Sequence, residues 1–150
     1  MIHKKGNMLA SIIPGDVYLV TTNSYIRNDG ALVMGRGAAK QLALMYPILP
    51  LMLGRNILKS CGHLGEYNID TLTNGSGITL GAFQVKFNFS DEADLDLIKR
   101  SCDELHRMAC EDGRVFHVNF PGIGNGRLKY NDVLPIVETL PDNVNVWTFA

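Results

Sequence analysis

The feature that most constrains the fold is an abrupt change of hydrophobic period near Gly113. Before this glycine, apolar residues recur every three or four positions, at Leu95, Ile98, Cys102, Leu105 and Ala109. This spacing predicts a helix with one buried face. After it, residues 115–120 form an almost continuous apolar run, which is typical of a strand covered on both faces. The pair predicts a sheet that lies between helical layers.

The same alternation of periods continues along the chain. Strands are predicted at residues 8–13, 17–22, 67–72, 78–88, 115–120 and 144–149, and helices at 38–46, 51–60, 95–109 and 131–140. Ser90 or Asp91 is the predicted cap of the long helix, and Asn131 that of the last one. We therefore expect an α/β fold with a central mixed sheet, and, because no linker or repeat interrupts residues 1–150, a single domain.

Composition and charge exclude several classes of protein. The 150 residues include 14 basic and 15 acidic side chains, for a formal net charge of −1, so bulk attraction to nucleic acid is not expected. The most apolar segment, 42–53, contains Pro47 and Pro50 and is too short to span a bilayer. The three cysteines, Cys61, Cys102 and Cys110, lack the C-x-x-C spacing of metal sites, which predicts buried, reduced thiols in a cytoplasmic protein without a metal.

Two glycine-rich turns are the strongest functional signal. One is Gly35-Arg36-Gly37-Ala38-Ala39-Lys40 and the other is Pro121-Gly122-Ile123-Gly124-Asn125-Gly126. Residues without a Cβ let backbone N–H groups converge, and a following helix N-terminus adds partial positive charge. Both turns therefore suit a phosphate or a diphosphate. The third glycine of a dinucleotide fingerprint and a Walker A sequence are missing, so no cofactor is expected.

The order of four motifs resembles that of the macrodomains. The motifs are Gly15-Asp16-Val17, Thr22-Asn23, Val33-Met34-Gly35-Arg36-Gly37-Ala38-Ala39 and Pro121-Gly122-Ile123-Gly124-Asn125-Gly126. The V-M-G-x-G loop is similar to that of terminal ADP-ribose glycohydrolases, ADP-ribose-1″-phosphate phosphatases and antitoxins that strip ADP-ribose from DNA. The resemblance implies a three-layer α/β/α macrodomain whose partner is ADP-ribose or an ADP-ribosylated substrate.

The resemblance also implies a role for each matched residue. Asp16 would accept a hydrogen bond from the adenine amino group, with a turn or capping aspartate as the alternative. Asn23 would contact the distal ribose. Phe149 would pack on adenine or, alternatively, close the core as an edge aromatic. Gly35, Arg36, Gly37 and Ala38 would wrap the distal ribose and the diphosphate, and the second diphosphate loop would comprise Gly122, Ile123, Gly124, Asn125 and Gly126. The other predicted ligand-binding residues are Val17, Val33, Met34, Pro121 and Arg127.

Catalysis is the point on which the sequence separates the branches of the family. Phe83-Gln84-Val85-Lys86 resembles the F-P-T-K segment of the DNA-directed members, in which the lysine acts at the anomeric carbon. Lys86 is therefore the candidate catalytic residue, and a strand lysine that points to solvent is the alternative. The acid that family hydrolases often have after the second loop is missing, because Gly126 is followed by Arg127-Leu128-Lys129.

Three functions follow as hypotheses. The first is hydrolysis of an ADP-ribose derivative by an ADP-ribosyl glycohydrolase, which the match around Lys86 favours. The second is an ADP-ribose-1″-phosphate phosphatase, in which Arg127 and Lys129 would favour the additional phosphate. The third is a module that binds ADP-ribose or a related nucleotide signal without turnover, which the missing acid favours.

Two further interpretations concern residues outside these motifs. His117 lies within the apolar strand beside Val118 and Phe120, and this position favours a hydrogen-bonded core histidine over a catalytic base. Residues 42–53 are unusually apolar for an outer helix and the turn after it. This segment belongs either to the core or to an exposed patch that is buried in a homodimer.

Overall fold

The computed structural model describes residues 1–149, in which strands alternate with helices. The strands are β1 (Ile2–Lys5), β2 (Val17–Thr22), β3 (Ile69–Thr73), β4 (Thr79–Gln84), β5 (Phe116–Asn119) and β6 (Val144–Thr148). The helices are α1 (Gly37–Met45), α2 (Leu49–Ser60), α3 (Leu95–Glu111) and α4 (Tyr130–Val137). A short 3₁₀ turn occupies Gly124–Gly126.

The strands form one sheet in the order β1-β6-β5-β2-β4-β3. Every neighbouring pair is parallel except β3 and β4, which are antiparallel. The predicted mixed sheet is therefore confirmed. Because parallel strands end at the same edge, the segments that follow β1, β2, β4 and β5 meet the carboxyl end of β6 at one edge of the sheet.

Helices cover both faces of this sheet. On one face, apolar residues of α3 and α4 pack against alternate strand residues such as Phe116 and Val118. On the other, α1 and α2 pack against Tyr18 and Val20 of β2. Each fully buried large apolar side chain contributes about 1.5–3 kcal/mol to folding. The three-layer α/β/α arrangement is thus confirmed. The two apolar cores, one on each face, stabilise the same sheet.

The predicted strand at 8–13 is wrong, and the first strand lies earlier, at Ile2–Lys5. The segment after Gly6 turns instead, since the Asn7 side-chain oxygen accepts a hydrogen bond from the N–H of Leu9 at 3.1 Å. Met8 and Leu9 are buried all the same, in the core on the α1 and α2 side. Their apolar character therefore reflects a buried turn and not a strand.

Several predicted element ends are also corrected. Asp94, and neither Ser90 nor Asp91, caps α3, because its Oδ1 accepts a hydrogen bond from Leu97 N at 3.1 Å. Helix α4 begins at Tyr130, so Asn131 lies inside its first turn and is not the cap. Strand β4 ends at Gln84, short of the predicted end at residue 88. Val85 and Phe87 still form backbone hydrogen bonds with Thr22 and Ser24, at the edge where the parallel strands finish.

Candidate functional site

A cleft of about 940 Å³ opens at the edge where the parallel strands end. Its walls are the segments that follow β1, β4 and β5, the last residues of β2 and β6, and the glycine-rich loop before α1. In open α/β sheets this edge is where ligands bind. The volume is within the range of sites for small molecules and cofactors.

The first glycine-rich loop brings a helix N-terminus to the cleft. Gly35, Arg36, Gly37 and Ala38 all line it, together with Val33 and Met34. Gly37 has a φ of +61°, a left-handed conformation that favours glycine, at the first position of α1. At the cap position the Arg36 side chain makes no capping hydrogen bond within the described residues. The first N–H groups of α1 are thus available to an anion.

The second loop faces the first across the cleft. A Cβ placed on Gly37 would lie 3.7 Å from Asn125 Nδ2. Gly122 has a φ of +83°, and a Cβ on it would lie 2.6 Å from Ile98 of α3. Gly126 is equally confined, because its Cβ would lie 2.9 Å from that of Ala93. These glycines let the loop lie directly on the core while its outer side lines the cleft.

Asn23 lies at the floor of the cleft immediately after β2. Its Nδ2 donates to the carbonyl of Val33 at 3.0 Å, and its Oδ1 accepts from the N–H of Tyr25 at 2.8 Å. The side chain is buried. Asn23 therefore braces the first glycine-rich loop from below, in addition to lining the cleft.

Lys86 also lines the cleft, directly after β4. Its Nζ donates to the carbonyls of Asp91 at 3.0 Å and Phe89 at 3.4 Å. Burial lowers the pKa of this ammonium, the positive charges of Arg127 and Arg36 lower it further, and Asp91 opposes them. These surroundings differ from those of a strand lysine directed at solvent, which is the alternative prediction for Lys86.

The charge of the cleft is positive. Arg36, Lys86 and Arg127 line it, and among the described residues no aspartate or glutamate does. Asp132, the nearest acid after the second loop, lies in the first turn of α4. Arg127 has a left-handed φ of 62°, and its Nη2 donates to the carbonyl of Ser90 at 3.3 Å. Such a site attracts an anion.

Asp16 and Val17 lie elsewhere, at the amino end of β2, and do not line the cleft in the described structure. Asp16 Oδ2 instead lies within hydrogen-bond distance of His117 Nε2, at 2.9 Å. The structure thus separates Asp16 from the other predicted ligand-binding residues, because strand β2 carries the chain from one sheet edge to the other. Pro121 is buried and likewise does not line the cleft.

The sequence prediction missed the residues that follow β1. Gly6, Asn7, Met8 and Leu9 line the same end of the cleft as the exposed Phe149. The signal for them was a Gly-Asn turn directly after the charged residues 3–5. Other cleft residues that the prediction omitted are Thr21, Thr22, Ala39, Gln41, Val85, Phe89, Ser90, Asn119, Phe120, Trp147 and Thr148.

Residues 1–149 contain neither a candidate metal site nor a candidate membrane-spanning helix. No group of three His, Cys, Asp or Glu side chains there is arranged to hold a metal ion. None of the helices in this part of the chain has the length and apolar character needed to cross a bilayer.

The fold and the site define a class: three-layer α/β proteins with an anion-attracting cleft at the carboxyl edge of the sheet. No protein-family model and no curated protein sequence matches the chain. Solved protein structures, in contrast, match the chain over most of its length. The macrodomain of Mycobacterium tuberculosis DarG is 22% identical, with a TM-score of 0.73 over 97% of this chain and 95% of that one.

Two other structures agree with this result. The macrodomain of Thermus aquaticus DarG is 21% identical, with a TM-score of 0.70 over 99% of this chain and 97% of that chain. Thermosipho africanus DarTG, solved in complex with ADP-ribose, is 15% identical, with a TM-score of 0.68 over 87% of this chain and 37% of that chain. The protein therefore has the macrodomain fold.

Proposed function

We propose that this protein binds ADP-ribose in the cleft. The observation that carries the proposal is the pair of glycine-rich loops, Gly35–Ala38 and Gly122–Gly126, which face each other at the uncapped start of α1. Backbone N–H groups, a helix N-terminus and cationic side chains together suit a diphosphate. Support comes from Thermosipho africanus DarTG, which has the same fold and was solved with ADP-ribose.

The shape of the cleft suggests the direction of the ligand. The end lined by Gly6, Asn7, Trp147 and Phe149, here named the base end, offers apolar and aromatic surface for the adenine. The diphosphate lies between the two loops. The distal ribose then reaches the other end of the cleft, beside Asn23 and Lys86.

Calorimetric titration tests the binding proposal. ADP-ribose should bind, and ribose 5-phosphate, which lacks the adenosine and one phosphate, should bind more weakly. Absence of heat at millimolar ADP-ribose, for a protein that circular dichroism shows to be folded, would refute the proposal.

We further propose that Lys86 catalyses hydrolysis of an ADP-ribosyl bond. A desolvated lysine beside two arginines has a lowered pKa, and a lowered pKa suits the amine to act as a nucleophile or an acid–base group. In the acid–base role, the ammonium gives its proton to the leaving group while water attacks the anomeric carbon. The leaving macromolecule then departs protonated, the neutral amine takes up the proton that the attacking water loses, and free ADP-ribose remains.

Assays with ADP-ribosylated protein, ADP-ribosylated DNA and ADP-ribose-1″-phosphate test the reaction. Each is repeated with Lys86→Ala and with a matched control, Lys99→Ala, which is exposed on α3. Turnover of an ADP-ribosylated macromolecule that is lost in Lys86→Ala and kept in Lys99→Ala supports the proposal. Equal turnover in both variants removes Lys86 from the mechanism.

Specific observations favour the two alternatives. Arg127 favours a phosphatase, because it adds positive charge to the cleft, whereas the exposed Lys129, which was also predicted to hold the additional phosphate, does not line the cleft in the described structure. The lack of a carboxylate among the described cleft residues favours a binding module, as do the two carbonyl contacts that occupy the Lys86 ammonium. Release of phosphate identifies the first alternative, and tight binding without turnover of any substrate identifies the second.

We also propose that the apolar segment 42–53 forms a homodimer interface. Leu42, Leu49 and Leu53 belong to the core, but Leu44 is 73% exposed and Ile48 60% exposed. Exposed apolar side chains in one segment are typical of a binding surface. Light scattering after size exclusion should give a dimer for the wild type and a monomer for Leu44→Lys; a wild-type monomer at high concentration would exclude the interface.

A reducing compartment, the cytoplasm, is the location that we propose. Cys61, Cys102 and Cys110 are all free thiols, but only Cys102 is buried. The predicted burial of the other two is wrong, because Cys61 is half-buried and Cys110 lies on the solvent-exposed side of α3. Burial raises the pKa of the Cys102 thiol to about 12, so this side chain stays protonated and unreactive. Free thiols persist where the surroundings are reducing.

A further inference from the structure

We propose that Asp16 and His117 are positioning residues that fix the Trp147 indole as the wall of the base end, and that they thereby set the affinity for the nucleobase of the ligand. The inference rests on the proposed binding of ADP-ribose and goes beyond it. It gives a function to Asp16 and His117, neither of which lines the cleft in the described structure.

The three side chains form one hydrogen-bonded series on the α1 and α2 face of the sheet. Asp16 lies before β2, His117 in β5 and Trp147 near the end of β6. Asp16 Oδ2 is 2.9 Å from His117 Nε2. Trp147 Nε1 donates to His117 Nδ1 at 3.0 Å. The series therefore runs from the edge opposite the cleft to the wall of the cleft.

The chemistry of these groups assigns the imidazole proton. An indole N–H only donates, so His117 Nδ1 must be the acceptor and carries no proton. In the neutral ring the proton is then on Nε2, which donates it to Asp16. The carboxylate selects the tautomer that can accept from Trp147, as the partner of one ring nitrogen commonly decides the state of the other.

Packing prevents the imidazole from turning away. Its ring is stacked on that of Tyr18, with centroids 4.6 Å apart and planes 6° from parallel. The Tyr18 hydroxyl is itself held, since it accepts from the N–H of Ile13 at 3.0 Å and donates to the carbonyl of Ser11 at 3.2 Å. His117 is only 8% exposed. Asp16, His117 and Tyr18 thus form a rigid support for the indole.

The supported ring is where a nucleobase would pack. Trp147 lines the cleft with Gly6, Asn7 and Met8, and its Cζ3 is 3.8 Å from the Cβ position of Gly6. Aromatic rings provide large, rigid apolar contact for a base. An indole that is already fixed loses little further freedom when the ligand arrives, which strengthens binding.

Nuclear magnetic resonance provides a direct reading, because Trp147 is the only tryptophan and gives a single indole N–H signal. In the wild type this signal should exchange slowly with solvent and shift with ADP-ribose but not with ribose 5-phosphate. An indole signal that ADP-ribose leaves unchanged would overturn the inference, whereas a wild type that does not bind ADP-ribose would refute the proposed function itself.

Two substitutions of His117 separate positioning from general packing. His117→Asn keeps an acceptor at the position of Nδ1 and should keep the slow indole exchange and the wild-type affinity. His117→Gln places its amide near Nε2, so it should lose the protection of the indole and about tenfold in affinity for ADP-ribose. Asp16→Ala should also accelerate indole exchange, because nothing then fixes the tautomer.

His106→Gln is the matched control, since His106 is exposed on α3; it should bind as the wild type does. If His117→Gln does not fold, Trp147→Phe replaces it, because it keeps an aromatic ring without the N–H group and should also bind more weakly. Wild-type affinity in a folded His117→Gln or Trp147→Phe, or an equal loss of affinity for ribose 5-phosphate, would refute the inference.

Discussion

Asp70 on strand β3 shows how one residue can set the pH dependence of stability. Burial raises the pKa of this carboxyl group, and its bond to Asn56 only partly opposes the shift. Its Oδ2 is buried and has no hydrogen-bond partner among residues 1–149. The folded protein therefore holds the proton more tightly than the unfolded chain does. Stability contributed by this group is present at low pH and is lost as the pH rises through the raised pKa.

We expect Asp70→Asn to remove the loss of folding stability that ionisation of Asp70 causes as the pH rises. The difference in free energy of unfolding between Asp70→Asn and the wild type should grow in favour of the variant from pH 4 to pH 8, as measured by urea denaturation. Glu66→Gln is the control in which the change of stability with pH should have the opposite sign, because the hydrogen bond to Arg100 lowers the pKa of Glu66. That variant should become less stable than the wild type as the pH rises. A constant difference for Asp70→Asn would contradict the prediction.

At the scale of single elements, the capping of α3 gives a second prediction. Asp94 Oδ1 accepts from Leu97 N at 3.1 Å and satisfies one of the free N–H groups of the first turn. Asp94→Ala should lower the free energy of unfolding by about 1 kcal/mol. Ser90→Ala, at a cap position predicted from the sequence, should cost less than about 0.5 kcal/mol. Equal losses in thermal or urea denaturation would show that Asp94 is not the effective cap.

Two glycines with positive φ, one at the start of α1 and one just after the end of α2, give a third prediction. Gly37 (φ +61°) begins α1 at the cleft, and Gly62 (φ +82°) follows α2 away from it. Alanine at either position should destabilise the fold by about 1–2 kcal/mol, because a Cβ is unfavourable in this conformation. Only Gly37→Ala should also weaken ADP-ribose binding in calorimetry. A similar loss of affinity in Gly62→Ala would mean that the effect is general and not local to the loop.

These elements also show what the sequence could reveal. Helix α3 and strand β5 were predictable because their periodicity comes from burial within each element. Strand β1 was not, since all four of its residues are exposed at a sheet edge and leave no apolar pattern. Met8 and Leu9 misled the prediction for the opposite reason: tertiary packing buries them in a turn.

The site was predictable to a similar extent. The glycine-rich loops carry their own local signal, and the structure places both at the cleft. The resemblance to macrodomain motifs predicts Asp16 at the ligand, but a short Gly-Asp-Val motif is compatible with either end of a strand, and only the topology shows which edge of the sheet Asp16 occupies. The base end, formed by Gly6, Asn7 and Trp147, brings together residues from the two ends of the chain through the pairing of β1 with β6. No local pattern encodes that contact.

At the scale of the whole molecule, charge is distributed unevenly. The chain has a formal net charge of −1, yet Arg36, Lys86 and Arg127 line the cleft without a carboxylate among the described residues. The cleft therefore attracts anions although the protein as a whole does not. Attraction between partly exposed charges is weakened by salt, because the screening length falls to about 3 Å at 1 M ionic strength.

Thermal denaturation with ligand tests this consequence on the intact protein. If ADP-ribose binds in the cleft as proposed, and only to the folded state, a concentration of about 100 times its Kd should stabilise that state by about 2.7 kcal/mol. For a chain of this length the increase in Tm is about 5–10 °C. High salt should reduce this increase for ADP-ribose, whose diphosphate is charged, and should leave any increase caused by uncharged adenosine almost unchanged. An ADP-ribose effect that does not depend on salt would show that apolar contact at the base end, and not the three cations, provides most of the affinity.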